Sequence, residues 1–203
     1  MYLQIIWFEI LAFLCSLIAL PVIWKNRYLR IWPFLLLIIV SVEGYYKFFV
    51  VKLGVNAPVY NVQVPLQYVC YMLMLYYSTT RANLRRFFII GIIIIILFNA
   101  ITTIYFTPEK YSNVLGYCCC SIIAILSIIL KFYDMIVTPR TVKYDFLRDP
   151  FFYMLFAFLF YNLVTLPYFG MANWLYYTNR YKEYKGIYTA LTELMSLDRK
   201  SVV

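Results

Sequence analysis

The sequence predicts an all-α, polytopic bundle of transmembrane helices, with six full spans and the opening half of a seventh. Three observations carry this. Apolar residues make up 65% of the 203-residue chain and charged residues only 13%, against about 45–50% and about 25% in soluble domains. The apolar residues fall into runs close to the ~20 that a helix needs to cross ~30 Å of hydrocarbon. Most of the basic residues fall between those runs. With a mean hydropathy of +0.77, the chain has more apolar surface than a water-soluble core can hide, so the expected solvent is a bilayer.

The spans follow in order, at about residues 2–24, 31–53, 61–77, 87–105, 113–133 and 151–169, with a partial seventh at 186–197. The first has no Lys or Arg before it and exceeds the length of a signal-peptide core, so it reads as a retained helix. Strands are not expected, because an open sheet edge cannot be satisfied in lipid. Pro33 and Pro150 fall in the first turns of spans two and six, where a missing N–H costs little. Asp149 reads as the N-cap before Pro150. Pro65 falls in the first turns of span three, Pro21 and Pro167 near the ends of spans one and six, and Pro58, Pro108 and Pro139 in loops.

After Leu197 the chain ends Asp-Arg-Lys-Ser-Val-Val, residues 198–203. A common short-read sequencing adapter encodes this hexapeptide in one frame. The sequence therefore predicts a non-native tail, set apart from fold reasoning, on a chain whose native form completes a seventh span.

Loop charge predicts orientation. Lys25, Arg27 and Arg30 follow span one. Arg81, Arg85 and Arg86 follow span three, and Lys131, Arg140, Lys143 and Arg148 follow span five. The loops after spans two and four hold Lys52 and Lys110. Basic loops stay in the cytoplasm, which predicts a multi-pass protein of the cell inner membrane with its N-terminus outside. Arg180, Lys182 and Lys185 after span six run against this trend. The net charge of +9 is thus explained by topology, and with no basic, aromatic-interleaved stripe outside the spans, no nucleic-acid partner is expected.

The chain has no His and five Cys, at 15, 70 and 118–120, all within apolar runs. No Cys/His metal spacing is present, and all five Cys read as buried small hydrophobes. No metal or cofactor is expected, and Ser-His or Cys-His catalysis is excluded.

Polar groups inside spans are the candidate site. Span two carries Glu43 and Lys47, four apart and able to pair, on the stripe Leu36, Val40, Glu43, Lys47, Val50, Gly54. Span three carries Gln63, Gln67 and Tyr71 at four-residue spacing. Asn99 lies in span four and Asn162, with Thr165, in span six. Thr189, Thr192 and Glu193 lie in the partial seventh. With the N-terminus outside, Glu43, Lys47, Gln63, Gln67, Asn99 and Asn162 all lie at the midplane or outward of it. The inner half reads as almost wholly apolar. This predicts a polar cavity opening to the extracytoplasmic side, with a small-molecule or lipid ligand. The same groups also suit interhelical hydrogen bonds that hold a membrane bundle together, at about 0.6 kcal/mol each, and the sequence leaves both roles open.

Short motifs carry a resemblance. Trp32-Pro-Phe-Leu-Leu-Leu, Val42-Glu-Gly-Tyr-Tyr, Tyr60-Asn-Val-Gln-Val-Pro-Leu-Gln-Tyr, Asp149-Pro-Phe-Phe-Tyr and Asn162-Leu-Val-Thr-Leu-Pro-Tyr-Phe resemble a family of small, uncharacterised seven-helix integral membrane proteins of Bacteroidota. More distantly, the pattern is similar to the seven-helix sensor modules of histidine kinases. The resemblance implies seven spans and no established activity, and this chain lacks a kinase domain. The expected function is a non-enzymatic binding or sensor-like module. The competing classes are a small secondary transporter, in which Glu43 exchanges a proton, and a lipid-modifying membrane enzyme, which the absence of His and of a nucleophile motif disfavours.

Overall fold

The structure is a computed structural model and describes residues 2–45, 57–106, 113–137 and 150–177. These form six long helices, one short one and no strand. Helix α1 spans Tyr2–Ile18 and is continued by the single turn α2, Leu20–Ile23. Then come α3 (Ile31–Tyr45), α4 (Ala57–Ser78) and α5 (Ala82–Ile101). A five-residue π-helical segment, Thr102–Phe106, follows, and then α6 (Val114–Val137) and α7 (Pro150–Tyr177). The all-α expectation holds. Among the described residues, two helices are long and apolar enough to cross a membrane: the continuous stretch Ala82–Phe106, whose most apolar 18 residues have a mean hydropathy of 2.7, and α6, whose most apolar 18 have 2.2. Lys47, Lys52, Lys110, Asp149, the partial seventh span at 186–197 and the tail at 198–203 lie outside the described residues, as does the side chain of Glu43.

Packing follows from which face of each helix is buried. Along α5, Phe88, Gly91, Ile95 and Asn99 are buried, and Thr102 continues the row. Steps of three and four keep one stripe on one face. The α6 stripe is Gly116, Tyr117, Cys120, Ser121, Ala124, Ser127, Ile128, Lys131, Asp134 and Met135. The core joins Tyr68, Met72 and Leu75 of α4 to Phe88 and Ile95 of α5, Cys120, Ala124 and Ile128 of α6, and Phe151 and Leu155 of α7. Helices α4, α5 and α6 pack on one another, α7 packs on α6, and α1 packs on α3, which rests on α4. The opposite face of α5 is apolar yet exposed at Ile89, Ile90, Ile93, Ile94, Ile96 and Leu97.

Several sequence expectations need correction. Helix α4 starts at Ala57, four residues before the predicted span, so Pro58 lies in its first turn and Pro65 in its interior. Pro65 has no N–H to donate to the Asn61 carbonyl one turn earlier, a defect that neighbouring groups can offset. Pro167 likewise lies inside α7, which runs eight residues past the predicted end. Arg85 and Arg86 are not loop residues but the fourth and fifth of α5, because a guanidinium can reach solvent from a helix end on its aliphatic stem. Cys15 is exposed, Cys118 and Cys119 are half-buried, and only Cys70 and Cys120 are buried. Three successive residues on a helix point 100° apart and cannot share one face.

At the end where the sequence places its basic loops, a buried ionic cluster extends into the half read as almost wholly apolar. Lys131 is 2% exposed. Its Nζ donates to the Ser78 carbonyl (2.8 Å), to Thr79 Oγ1 (3.0 Å) and to Asp134 Oδ2 (3.4 Å). Arg81 Nε lies 3.1 Å from Asp134 Oδ1. Arg85 Nε donates to the Thr79 carbonyl (2.6 Å), and its guanidinium lies 5.6 Å from the centre of the Tyr76 ring. The short α4–α5 connection is thereby tied to the last turns of α6. At the same end, Tyr28, between α2 and α3, packs at a tilt against Phe151 of α7 with ring centres 4.8 Å apart.

Candidate functional site

The other end of the bundle, where α4 and α6 begin and α5 finishes, contains a cavity of about 440 Å³. That volume lies in the ~300–1,000 Å³ range of small-molecule sites. Helix α4 forms its longest wall. Starting at Tyr60 and Asn61, steps of three and four bring Val64, Gln67, Tyr68 and Tyr71 to one side, with Gln63 beside them. Asn99 enters from α5, Asn113, Val114 and Tyr117 from the start of α6, Phe158, Tyr161 and Asn162 from α7, and Ile39 from α3. Four of the six residues singled out from the sequence therefore share one cavity: Gln63, Gln67, Asn99 and Asn162. Lys47 and the Glu43 side chain lie outside the described residues, and Thr165 stands one turn behind the wall.

Two hydrogen-bonded networks build the wall. In the first, the buried Tyr68 hydroxyl donates to Asn162 Oδ1 (2.6 Å) and lies 2.9 Å from Ser121 Oγ. A phenol has one proton, and Asn162 Oδ1 takes it, so Ser121 is the donor to Tyr68. Asn162 Nδ2 in turn donates to the Phe158 carbonyl (2.8 Å). Beside it, Tyr117 donates to Thr165 Oγ1 (2.8 Å), which donates to the Tyr161 carbonyl (2.8 Å). Helices α4, α6 and α7 are thus bridged by side chains with opposing needs already met.

The second network caps helix ends. Asn113 stands immediately before α6, and its Oδ1 accepts from the Gly116 N–H (2.9 Å), the bond expected of an N-cap. Its Nδ2 donates to Thr102 Oγ1 (2.7 Å) and Thr103 Oγ1 (2.9 Å) of the π-helical segment. The Asn113 N–H donates to Asn61 Oδ1 (2.7 Å). Asn99 Nδ2 is shared between the Ile95 carbonyl (2.8 Å) and Cys120 Sγ (3.1 Å). Gly116 makes the close approach workable, because a Cβ there would collide with Asn99 Oδ1 and come within 2.5 Å of Asn113 Nδ2. π-Helical turns concentrate at functional sites, and here the turn lies next to the cavity's Asn99 and Asn113.

Gln63 differs from these. It is 5% exposed, yet its Oε1 is buried with no hydrogen-bond partner among the described residues. A buried carbonyl left unpaired costs about 1–3 kcal/mol. Gln67, one turn on and half-buried, lines the same wall. No family model matches this chain, and comparisons with curated proteins and with solved structures give no match. The site therefore rests on its own chemistry.

That chemistry divides the sequence-derived residues into two roles. Asn162 has both ends of its amide engaged, and Asn99 has its donor engaged, so these two act as struts. Gln63 and Gln67 face the cavity with hydrogen-bonding capacity in hand. Sequence reasoning missed Tyr68, Ser121, Tyr117 and Asn113. Only Asn113 carried a local signal, as an N-cap residue ahead of an apolar run. None of the described lining residues is Asp, Glu, Lys or Arg; what those residues offer is hydrogen bonds and aromatic rings.

Proposed function

We propose that this chain is a multi-pass protein of the cell membrane, and a non-enzymatic, sensor-like module whose cavity binds a neutral small molecule from the extracytoplasmic side. The observation that carries the binding reading is Gln63: an acceptor nine-tenths buried, without a partner among the described residues, on the wall of a 440 Å³ cavity. The stability lost there is recovered if a ligand supplies the missing hydrogen bond. The membrane reading is supported by the apolar length of Ala82–Phe106 and α6, and by the exposed isoleucines of α5, a patch that a monomer in water rarely presents. The orientation is supported by the cationic residues gathered at the end opposite the cavity. Seven spans, as the sequence resemblance implies, belong to this proposal.

The full chain in lipid nanodiscs tests it, with the unfolding midpoint followed by intrinsic fluorescence. A bound compound at 100 times its Kd stabilises the folded state by about 2.7 kcal/mol. Compounds of the right class are expected to raise the midpoint saturably. Gln63→Leu is expected to abolish that response while raising the ligand-free midpoint, because it removes the unpaired carbonyl. Proteoliposomes are expected to show no uptake of the bound compound. Uptake driven by a pH gradient and lost in Glu43→Gln would replace this reading with a transporter.

A further inference from the structure

We infer that the ligand is a neutral, hydroxyl-rich ring compound: a monosaccharide, free or as the headgroup of a glycolipid. This inference rests on the reading of the cavity as a binding site and names the chemistry that site recognises.

Three features converge on it. The first is the kind of polar group in reserve. Beside Gln63, neither the Gln67 amide nor the Tyr71 hydroxyl makes a hydrogen bond among the described residues. An amide presents an acceptor and a donor side by side, the complement of two neighbouring hydroxyls on a ring. Each hydroxyl both donates and accepts, so it satisfies either end of the Gln63 amide. Residues 63, 67 and 71 lie on one face of α4, about 6 Å apart along its axis. A single carbonyl or amine could meet one of them, whereas a ring bearing several hydroxyls can meet two or more.

The second feature is charge. The described lining residues include no ionisable acid or base of the carboxylate, ammonium or guanidinium kind. A phosphate, carboxylate or quaternary ammonium moved against these residues would lose its hydration without gaining a counter-charge from them.

The third is the aromatic lining. Tyr60, Tyr68, Tyr71, Tyr117, Phe158 and Tyr161 surround the cavity. Tyr71 and Phe158 meet edge to face at 3.8 Å between centres, and Tyr68 and Tyr117 at 6.0 Å. Aromatic faces carry negative charge density, and the C–H face of a sugar ring, polarised by its oxygens, lies well against them. An apolar ligand would fit the rings but leave Gln63 unpaired. A small flexible polyol would meet the amides but offer the rings no flat face.

The test uses the full chain, purified in a sugar-free detergent and reconstituted into phosphatidylglycerol nanodiscs. Probes are methyl β-D-glucopyranoside in solution, monoglucosyl-diacylglycerol in the disc, tetramethylammonium chloride and inorganic phosphate, and the unfolding midpoint is read against concentration. The expected result is a saturable rise with the glycoside or the glucolipid. A response to the free glycoside assigns a soluble sugar, and a response to the glucolipid alone assigns a headgroup. Because sugars also stabilise proteins non-specifically by exclusion from their surface, the response must weaken at least tenfold in apparent affinity in Gln63→Leu and in Gln67→Leu. An unchanged response in those variants overturns the inference. Saturation by tetramethylammonium or phosphate, with neither glycoside, overturns the ligand class but leaves a binding site standing. Saturation by none of the four, together with no small molecule retained by the purified protein in native mass spectrometry, removes both the inference and the binding reading beneath it.

Discussion

At the scale of single residues, the two glycines buried among the described residues make opposite demands. Both face a neighbouring helix, but what a Cβ would meet differs. At Gly91 it meets the Met72 Cε at 2.5 Å and Ile123 Cγ2 at 3.2 Å. Met72 Cε is the end of an unbranched side chain with three rotatable bonds, which can swing aside. At Gly116 the obstruction is Asn99 Oδ1 and the Asn113 amide; moving the first breaks its bonds to the Ile95 carbonyl and Cys120 Sγ, and moving the second breaks the bonds that cap α6 and hold the π-helical segment. Gly116→Ala is therefore expected to destabilise the protein by about 2–4 kcal/mol, the sum of overpacking and a lost cap. Gly91→Ala is expected within about 1 kcal/mol of the parent, because the gain in helix propensity offsets the repacking. Urea or thermal unfolding of the two variants side by side checks this, and equal midpoints would show that the Asn99–Asn113 contact is not rigid. Residue chemistry also explains what the sequence could show of the site. Gln63 and Gln67 were legible because four-residue spacing puts both on one face whatever surrounds them. The strut role of Asn162 was not, because its partner Tyr68 is 94 positions away. Cys120, the partner of Asn99, is 21 positions away and looks in the sequence like one more apolar residue.

At the scale of helices, existence was easier to read than extent. An apolar run long enough for a bilayer announces a helix, but its ends are set by groups that an apolar count leaves out. Helix α5 begins five residues before its predicted span because Arg85 turns back to the Thr79 carbonyl. Helix α6 continues past Tyr133 because Lys131 and Asp134, three apart on one face, are buried together. Their spacing was visible in the sequence, but the Ser78 carbonyl and Thr79 that complete the Lys131 shell come from the other side of α5 in the chain. This cluster makes the α4–α5 connection depend on α6. Removing the Asp134 carboxylate takes a counter-charge from the buried Lys131 ammonium, a loss of about 3–5 kcal/mol. Replacing both charges by apolar groups removes the desolvation cost along with the attraction. Asp134→Leu is thus expected to be markedly less stable than the double variant Lys131→Met/Asp134→Leu. Unfolding midpoints of the parent, both singles and the double form the cycle that checks it. A double variant no better than Asp134→Leu would mean that the ammonium is not what the carboxylate serves.

At the scale of the whole molecule, charge and cavity divide between the two ends, and in the proposed membrane setting that division fixes which way the site faces. One end gathers Lys25, Arg27 and Arg30 before α3 with Arg81, Arg85 and Arg86 around the start of α5. The described residues at the other end, 57–61, 102–106 and 113–117, include no Lys or Arg. Moving six cations across a bilayer is opposed by their hydration and, in an energised cell, by about 2.3 kcal/mol per charge per 100 mV. In that setting the basic end is therefore the one expected to stay inside during insertion. Two positions report this directly once the five native cysteines are replaced by serine or alanine: Asn26 at the basic end, and Phe106, 67% exposed, at the end of the π-helical segment. Phe106→Cys is expected to react with a membrane-impermeant maleimide in intact spheroplasts, and Asn26→Cys only after the membrane is opened. The reverse pattern would turn the cavity toward the cytoplasm and make its ligand an intracellular compound. Labelling of both cysteines from outside would mean that no odd number of spans separates the two ends, and the membrane path drawn through α3, α4 and α5 would have to be abandoned.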